Sequence, residues 1–167
     1  MAVNVELVRT LRDQTGAGIM DCKDALEKSD GDLEKATVSL REKGIAGVAK
    51  RVGRATNEGV IETYLHTGGR VGAMVELGCE TDFVARTDEF LKLANDIAMQ
   101  VAAMGPVYVD KEEIEDGDDR PPAQISLMQQ PFIKNNSSSV GEMVKELAAK
   151  VGENIRVVRF SRLAVGE

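Results

Sequence analysis

The stretch of this chain that most invites a chemical reading is Cys79-Glu80-Thr81-Asp82-Phe83-Val84-Ala85-Arg86, which sets carboxylates beside a large apolar ring. Glu80 and Asp82 flank Thr81 as a candidate acid–base pair, but such work needs a pocket and a partner within hydrogen-bond reach, and the sequence supplies neither. His66 is the single histidine, so neither a Cys/His zinc site nor a Ser-His-Asp triad assembles readily. Gly44-Ile45-Ala46-Gly47-Val48-Ala49-Lys50-Arg51 spaces a glycine and a lysine as a phosphate loop does, but Ala49 holds the second glycine position and Arg51 the Ser/Thr position. No strand precedes it, and Gly16-Ala17-Gly18 is likewise only a turn. Nucleotide binding and enzymatic turnover are therefore not expected of this chain, and no cofactor or metal is assigned to it.

The elements around Glu80 to Arg86 define what that stretch can do instead. Before it, Val71, Ala73, Val75, Leu77 and Cys79 alternate with Gly72, Met74, Glu76 and Gly78, the period of a half-buried strand. After it, Phe90, Ala94, Ile97, Val101 and Met104 recur at helical spacing. Asp82 and Phe83 thus fall in the turn between a strand and a helix, where a rigid scaffold presents binding residues. Two readings fit: Phe83 is a presented wedge, or Thr81 or Asp82 caps a short helix and Phe83 fills the core.

The rest of the chain reads as a mixed fold. Helices are predicted from Asn4 to Gln14 with Asn4 as N-cap, from Ile19 to Lys28, and from Asp32 to Lys43 with Asp32 as N-cap, separated by Gly16, Gly18, Gly31 and Gly44. Leu7 and Leu11, then Cys22, Ala25 and Leu26, then Leu33, Ala36 and Leu40 give each helix one apolar stripe, enough for a small three-helix bundle. Ile45 to Gly53 reads as a basic, solvated helical connector. From Glu58 the period changes to that of strands: Gly59 to His66, a turn at Thr67-Gly68-Gly69-Arg70, and Val71 to Cys79 form a hairpin. A helix from Asp88 to Met104 stops at Gly105-Pro106, and Asp110 to Pro122 reads as a flexible acidic linker of no chemical consequence. A helix from Val140 to Lys150, capped by one of Ser137, Ser138 or Ser139, and a strand from Ile155 to Leu163 close the chain. The expectation is an α+β protein: residues 1–54 form a bundle with its linker, and residues 55–167 form a small antiparallel sheet with helices on one face.

Composition narrows the function classes. With 167 residues and 43% hydrophobic content the chain can bury a real core. A formal net charge of -7 argues against a nucleic-acid backbone as direct partner, because counterion release needs a concentrated basic surface. No apolar run is long enough to cross a bilayer, and Met1-Ala2-Val3-Asn4-Val5-Glu6 lacks signal-peptide character, so a cytoplasmic protein with no membrane partner is expected. Cys22 and Cys79, without CxxC spacing, fit reduced, buried thiols.

On a helical wheel Cys22, Ala25, Leu26 and Ile19 cluster on one side, while Met20 shares the far side with Asp24 and Glu27. A methionine stranded on a polar face suits an adaptable contact surface. Thr15-Gly16-Ala17-Gly18-Ile19-Met20-Asp21-Cys22-Lys23-Asp24-Ala25-Leu26, TDFVAR, and Lys150-Val151-Gly152-Glu153-Asn154-Ile155-Arg156-Val157-Val158-Arg159-Phe160 stand in the order of three motifs of the elongation factor Ts family, and the chain resembles that family over nearly its whole length. The resemblance implies a ubiquitin-associated type of bundle and a guanine-nucleotide exchange factor in translation elongation that binds elongation factor Tu in its GDP-bound and nucleotide-free states. It carries docking to Arg12, Ile19, Met20 and Lys23, Ile19 standing where relatives commonly have methionine. It carries dislodging of the partner's magnesium to Thr81, Asp82, Phe83 and Val84. Longer relatives hold two related core subdomains where this chain has strands for one small sheet, which implies a homodimer. An alternative of another class is a ubiquitin-associated-like peptide-binding adaptor without exchange activity, which has no evident use for the TDFV turn.

Overall fold

The computed structural model describes residues 4–167. Met1-Ala2-Val3, read above with the chain's opening as no signal peptide, lies outside the described residues. The chain packs as two compact units, one of residues up to Gly53 together with Ala148–Glu153, the other of Arg54–Leu147 together with Asn154–Glu167.

In the first unit α1 (Val5–Thr15), α2 (Ile19–Lys28) and α3 (Leu33–Ala49) form the expected bundle. Asn4 caps α1 by accepting from the Glu6 N–H at 2.9 Å, and Asp32 caps α3 by accepting from the Lys35 N–H at 3.1 Å. That bond, with the Lys35 charge, holds the Asp32 carboxyl below its ordinary range. The apolar stripes meet in a core of Leu11, Cys22, Ala25, Leu26, Ala36 and Leu40, flanked by Leu7, Val8, Ala17 and Leu33. The third helix does not stop near Lys43 as predicted but runs through Gly44 to Ala49. Gly44 is a packing glycine there: a Cβ on it would lie 3.0 Å from the Ala149 Cβ. Its conformational freedom suggested a break, whereas its missing side chain makes room for a neighbour.

The second unit is built on a three-stranded antiparallel sheet in the order β1 (Glu58–Leu65), β2 (Val71–Cys79), β5 (Arg156–Ala164). Glu76 faces Arg159 but Leu77 faces Val157, so β5 carries one extra residue, a bulge at Val158. The bulge lets Val157 and Phe160, three residues apart, both stand opposite inward residues, Leu77 and Val75. One face of the sheet is covered by α5 (Asp88–Met104), whose Phe90, Ala94, Ile97 and Val101 are buried against the strands with Val75 and Leu77. On the other face Leu65 and Leu163 flank Gly72, and Thr63 and Ser161 flank Met74. Leu65 (70%), Met74 (50%) and Leu163 (80%) are all exposed there, around a shallow concavity of about 450 Å³.

Between the sheet strands run α4 (Asp82–Ala85), a 3-10 turn at Lys111–Glu113, α6 (Pro122–Ile125), a second 3-10 turn at Leu127–Gln129, the short hairpin β3 (Pro131–Phe132) and β4 (Asn135–Ser139), and α7 (Val140–Val151). Ser139 and Glu142 form a capping box for α7: Ser139 Oγ accepts from the Glu142 N–H at 3.2 Å and Glu142 Oε2 accepts from the Ser139 N–H at 2.7 Å. The segment Asp110 to Pro122, expected to be a flexible linker, is instead tied down locally: Arg120 grips Asp118 at 2.6 Å and the Tyr108 hydroxyl donates to the same carboxylate at 3.4 Å. Among the described residues no helix is long and apolar enough to cross a membrane.

Candidate functional site

The turn after β2 is shaped by its own side chains. Thr81 has an extended backbone and accepts from the Val84 N–H at 3.5 Å, so it is the N-cap of α4. The buried Cys79 thiol donates to the Thr81 carbonyl at 3.1 Å, which fixes the chain as it leaves the strand. Starting the helix at Asp82 turns Val84 and Ala85 into the core and Phe83 out of it. Phe83 is 82% exposed, whereas Phe90, one short helix later, is fully buried. The open choice between a core ring and a presented ring is thereby decided in favour of presentation, and the cap and the exposed ring coexist. Asp82 pairs with Arg86 at 2.9 Å along the same face. The next helix follows at once: Thr87 Oγ1 donates to the Val84 carbonyl at 2.8 Å and accepts from the Phe90 N–H at 3.3 Å.

Glu80 and Asp82 do not meet as a carboxylate pair. Glu80 Oε1 accepts from the Asn154 N–H at 2.7 Å, while Asp82 belongs to Arg86. Among the described residues no group of three or more His, Cys, Asp or Glu side chains could hold a metal ion. His66, the one histidine, is exposed, with Nδ1 3.2 Å from the Tyr64 hydroxyl. Cys22 and Cys79 are both buried, and neither takes part in a disulfide.

The second cluster named from the sequence lies in the bundle. Arg12 is exposed in the last turn of α1, and Ile19 (55%) and Met20 (65%) are exposed in the first turn of α2, with only Gly16-Ala17-Gly18 between the helices. Met20 stands off the apolar stripe as the helical wheel predicted. Ile19 does not join Cys22, Ala25 and Leu26 in the core as the same wheel predicted, because it is the first residue of α2 and precedes the turn at which Cys22 and Leu26 enter the bundle core. Lys23 pairs with Glu27 at 3.7 Å. Next to Met20, Asp21 accepts from Lys43 at 2.7 Å, a bond between α2 and α3 that raises the lysine's pKa. The structure therefore assembles the four bundle residues in one unit and the four turn residues in the other.

Residues 14–118, which include the whole Thr81–Arg86 turn, match the family Elongation factor TS. The chain belongs to the elongation factor Ts family. Elongation factor Ts of Thermotoga neapolitana is 45% identical over 195 residues, which cover 100% of this chain and 99% of that protein. Elongation factor Ts of Carboxydothermus hydrogenoformans is 44% identical over 195 residues, with coverages of 99% and 90%. Elongation factor Ts of Synechococcus sp. (strain JA-3-3Ab) is 46% identical over 198 residues, covering 100% of this chain and 70% of the relative. These alignments are longer than the chain's 167 residues, so the relatives hold segments without a counterpart here. Membership of the family makes this chain a translation elongation factor, concerned with protein biosynthesis.

Sequence reasoning missed the environment of the turn. The fastening of Glu80 to Asn154 joins residues 74 positions apart, which periodicity does not report. Both stood inside family-like blocks, and a buried-type polar residue such as Asn154 between Glu153 and Ile155 was the available signal.

Proposed function

We propose that this chain is the guanine-nucleotide exchange factor of elongation factor Tu, binding its GDP-bound and nucleotide-free states in the cytoplasm and promoting release of GDP without chemical turnover. The observation that carries this reading is Phe83, an aromatic ring 82% exposed on a capped, core-anchored turn in a member of the elongation factor Ts family. Leaving such a ring in water forgoes roughly 1.5–3 kcal/mol of burial. A partner surface that accepts the ring recovers it.

Docking falls to Arg12, Ile19, Met20 and Lys23, which offer cationic and apolar contacts on the bundle. Distortion falls to the turn. Phe83 enters beside the magnesium-side helix of elongation factor Tu, Asp82 competes for polar contacts there, and Thr81 and Val84 hold the two in place. A GTPase retains its nucleotide through phosphate and magnesium contacts, so a factor that binds better when these are disturbed must, by linkage, weaken nucleotide binding to the same extent. The chain itself needs no cofactor and makes no direct contact with nucleic acid. Two copies pair through the open sheet face of Leu65, Met74 and Leu163. The test is release of labelled GDP from elongation factor Tu: catalytic amounts of this protein accelerate it, and unchanged release at saturating protein would refute the assignment.

A further inference from the structure

The contacts that hold the base of the turn come from two distant parts of the chain. Glu80 immediately precedes Thr81, and its side chain is only 21% exposed. Its carboxylate accepts from the Asn154 backbone N–H at 2.7 Å and meets the Arg54 guanidinium at 3.4 Å. Asn154, itself 5% exposed, donates its side-chain amide to the Arg54 carbonyl at 2.8 Å. The three residues close a ring of hydrogen bonds that ties the entry into β1, the end of β2 and the entry into β5 together at one point, all within the second unit. Thr56 lies on this seam as well: a Cβ on Gly78 would come within 3.1 Å of its hydroxyl oxygen. Four ties within the turn, Cys79 to Thr81, Thr81 to Val84, Asp82 to Arg86 and Thr87 to Val84, are local. They shape the turn but cannot by themselves aim it relative to the sheet.

We propose that Glu80 and Asn154 are positioning residues of the exchange surface: they clamp the turn to the sheet so that Phe83 is delivered at a fixed place instead of swinging with its loop. This rests on the exchange reading above. A charge-assisted bond from a buried backbone N–H is short and directional, which suits it to aiming a neighbouring residue. Such a role acts on the step in which Phe83 distorts the partner, and leaves the docking surface on the bundle untouched.

The test combines exchange kinetics with amide hydrogen exchange on the full-length chain. Glu80→Ala removes the acceptor, and is expected to lower the maximal rate of GDP release about tenfold while the half-saturating concentration stays within about twofold. Glu80→Gln keeps an oxygen for the Asn154 N–H and restores most of the rate, which a lost partner contact at Glu80 would not predict. Hydrogen exchange at the Val84 and Ala85 amides quickens in Glu80→Ala and not in Glu80→Gln. A parental maximal rate in folded Glu80→Ala, or a loss confined to the half-saturating concentration, overturns the proposal. If Glu80→Ala does not fold, Asn154→Ala decides: it retains the backbone donor and loses the arm to Arg54, so about a threefold fall in maximal rate supports the clamp, and no fall overturns it. If the parent protein releases no GDP, the exchange reading alone fails. Amide exchange at Val84 and Ala85 in the isolated chain then settles the clamp, faster exchange supporting it and unchanged exchange overturning it.

Discussion

Phe83 and Phe90 show how little a residue's type says without its place. Both are phenylalanines on consecutive helices, yet one is fully buried and the other is 82% exposed. Alternation in β2 and helical spacing after Asp88 locate Phe83 in the turn, but they do not say which way the four-residue helix that starts at the Thr81 cap rotates its side chains. Because the ring is exposed, Phe83→Ala should change stability by no more than about 0.5 kcal/mol. The same variant is expected to slow GDP release about tenfold with a smaller effect on affinity for elongation factor Tu, since the ring's contact forms mainly as the partner distorts. Stopped-flow release measured beside a binding titration separates the two. Met20→Asp is expected to do the reverse, weakening binding about tenfold or more with the melting temperature hardly moved, because Met20 stands off the bundle core. A large fall in melting temperature would show a buried role instead. Met20 was legible from a helical wheel. Ile19 was not, because a wheel assigns faces without knowing where a helix begins to pack.

At the scale of elements, patterns of apolar residues were read correctly and elements built by polar contacts were not. The sheet hairpin, α2, α5 and α7 follow from periodicity, caps and glycine stops. The hairpin of β3 and β4 was invisible, since Asn135-Asn136-Ser137-Ser138-Ser139 has no apolar alternation. It is anchored from elsewhere: Gln100, fully buried in α5, donates to Gln130 Oε1 and to the Pro131 carbonyl, each at 3.1 Å, and accepts from the Ile133 N–H at 3.0 Å. The acidic segment likewise looked disordered by composition, and a specific contact orders it. Above all the Arg120 hydrogen bond, with the Tyr108 hydroxyl adding to it, lowers the Asp118 pKa to about 2 from an ordinary 3.8. The folded value lies below the unfolded one, so this contact stabilises the fold above pH 3.8 and is lost as the pH falls towards about 2. Carboxyl titration by NMR should give Asp118 a midpoint near 2, and Arg120→Ala should raise it towards the ordinary value. An Asp118 midpoint that Arg120→Ala leaves unmoved would remove the contact from the account.

At the scale of the whole molecule the uncovered sheet face is the prominent apolar surface. Ile61, Leu65, Met74 and Leu163 are all at least half exposed, and a stable interface needs roughly 800 Å² from each partner. In the proposed twofold pairing, two such faces would bring this apolar area together, with the Leu65 side chain leaning over Gly72. Sedimentation equilibrium at micromolar concentration is expected to give a dimer mass, and Leu163→Asp a monomer. A monomeric parent would refute the pairing and leave the exchange reading standing. The change from helices to strands at Glu58 was legible from the change of period there. That Ala148–Glu153 joins the bundle unit was not, because nothing in a sequence announces a return to an earlier unit.

That return sets an order of events at the ribosome. Domains fold as units while the chain emerges, beginning from the N-terminus. The core of Leu11, Cys22, Ala25, Leu26, Ala36 and Leu40 is complete once the first helices have emerged, and it can close early. The later half of α3 must wait: the Ala149 methyl that fits over Gly44, and the Ala148 carbonyl that accepts from Arg51 at 3.3 Å, are translated only after nearly the whole sheet unit. A product that stalls before Ala148 therefore carries the bundle core without the two contacts that the late segment makes with the later part of α3 and with Arg51 just beyond it.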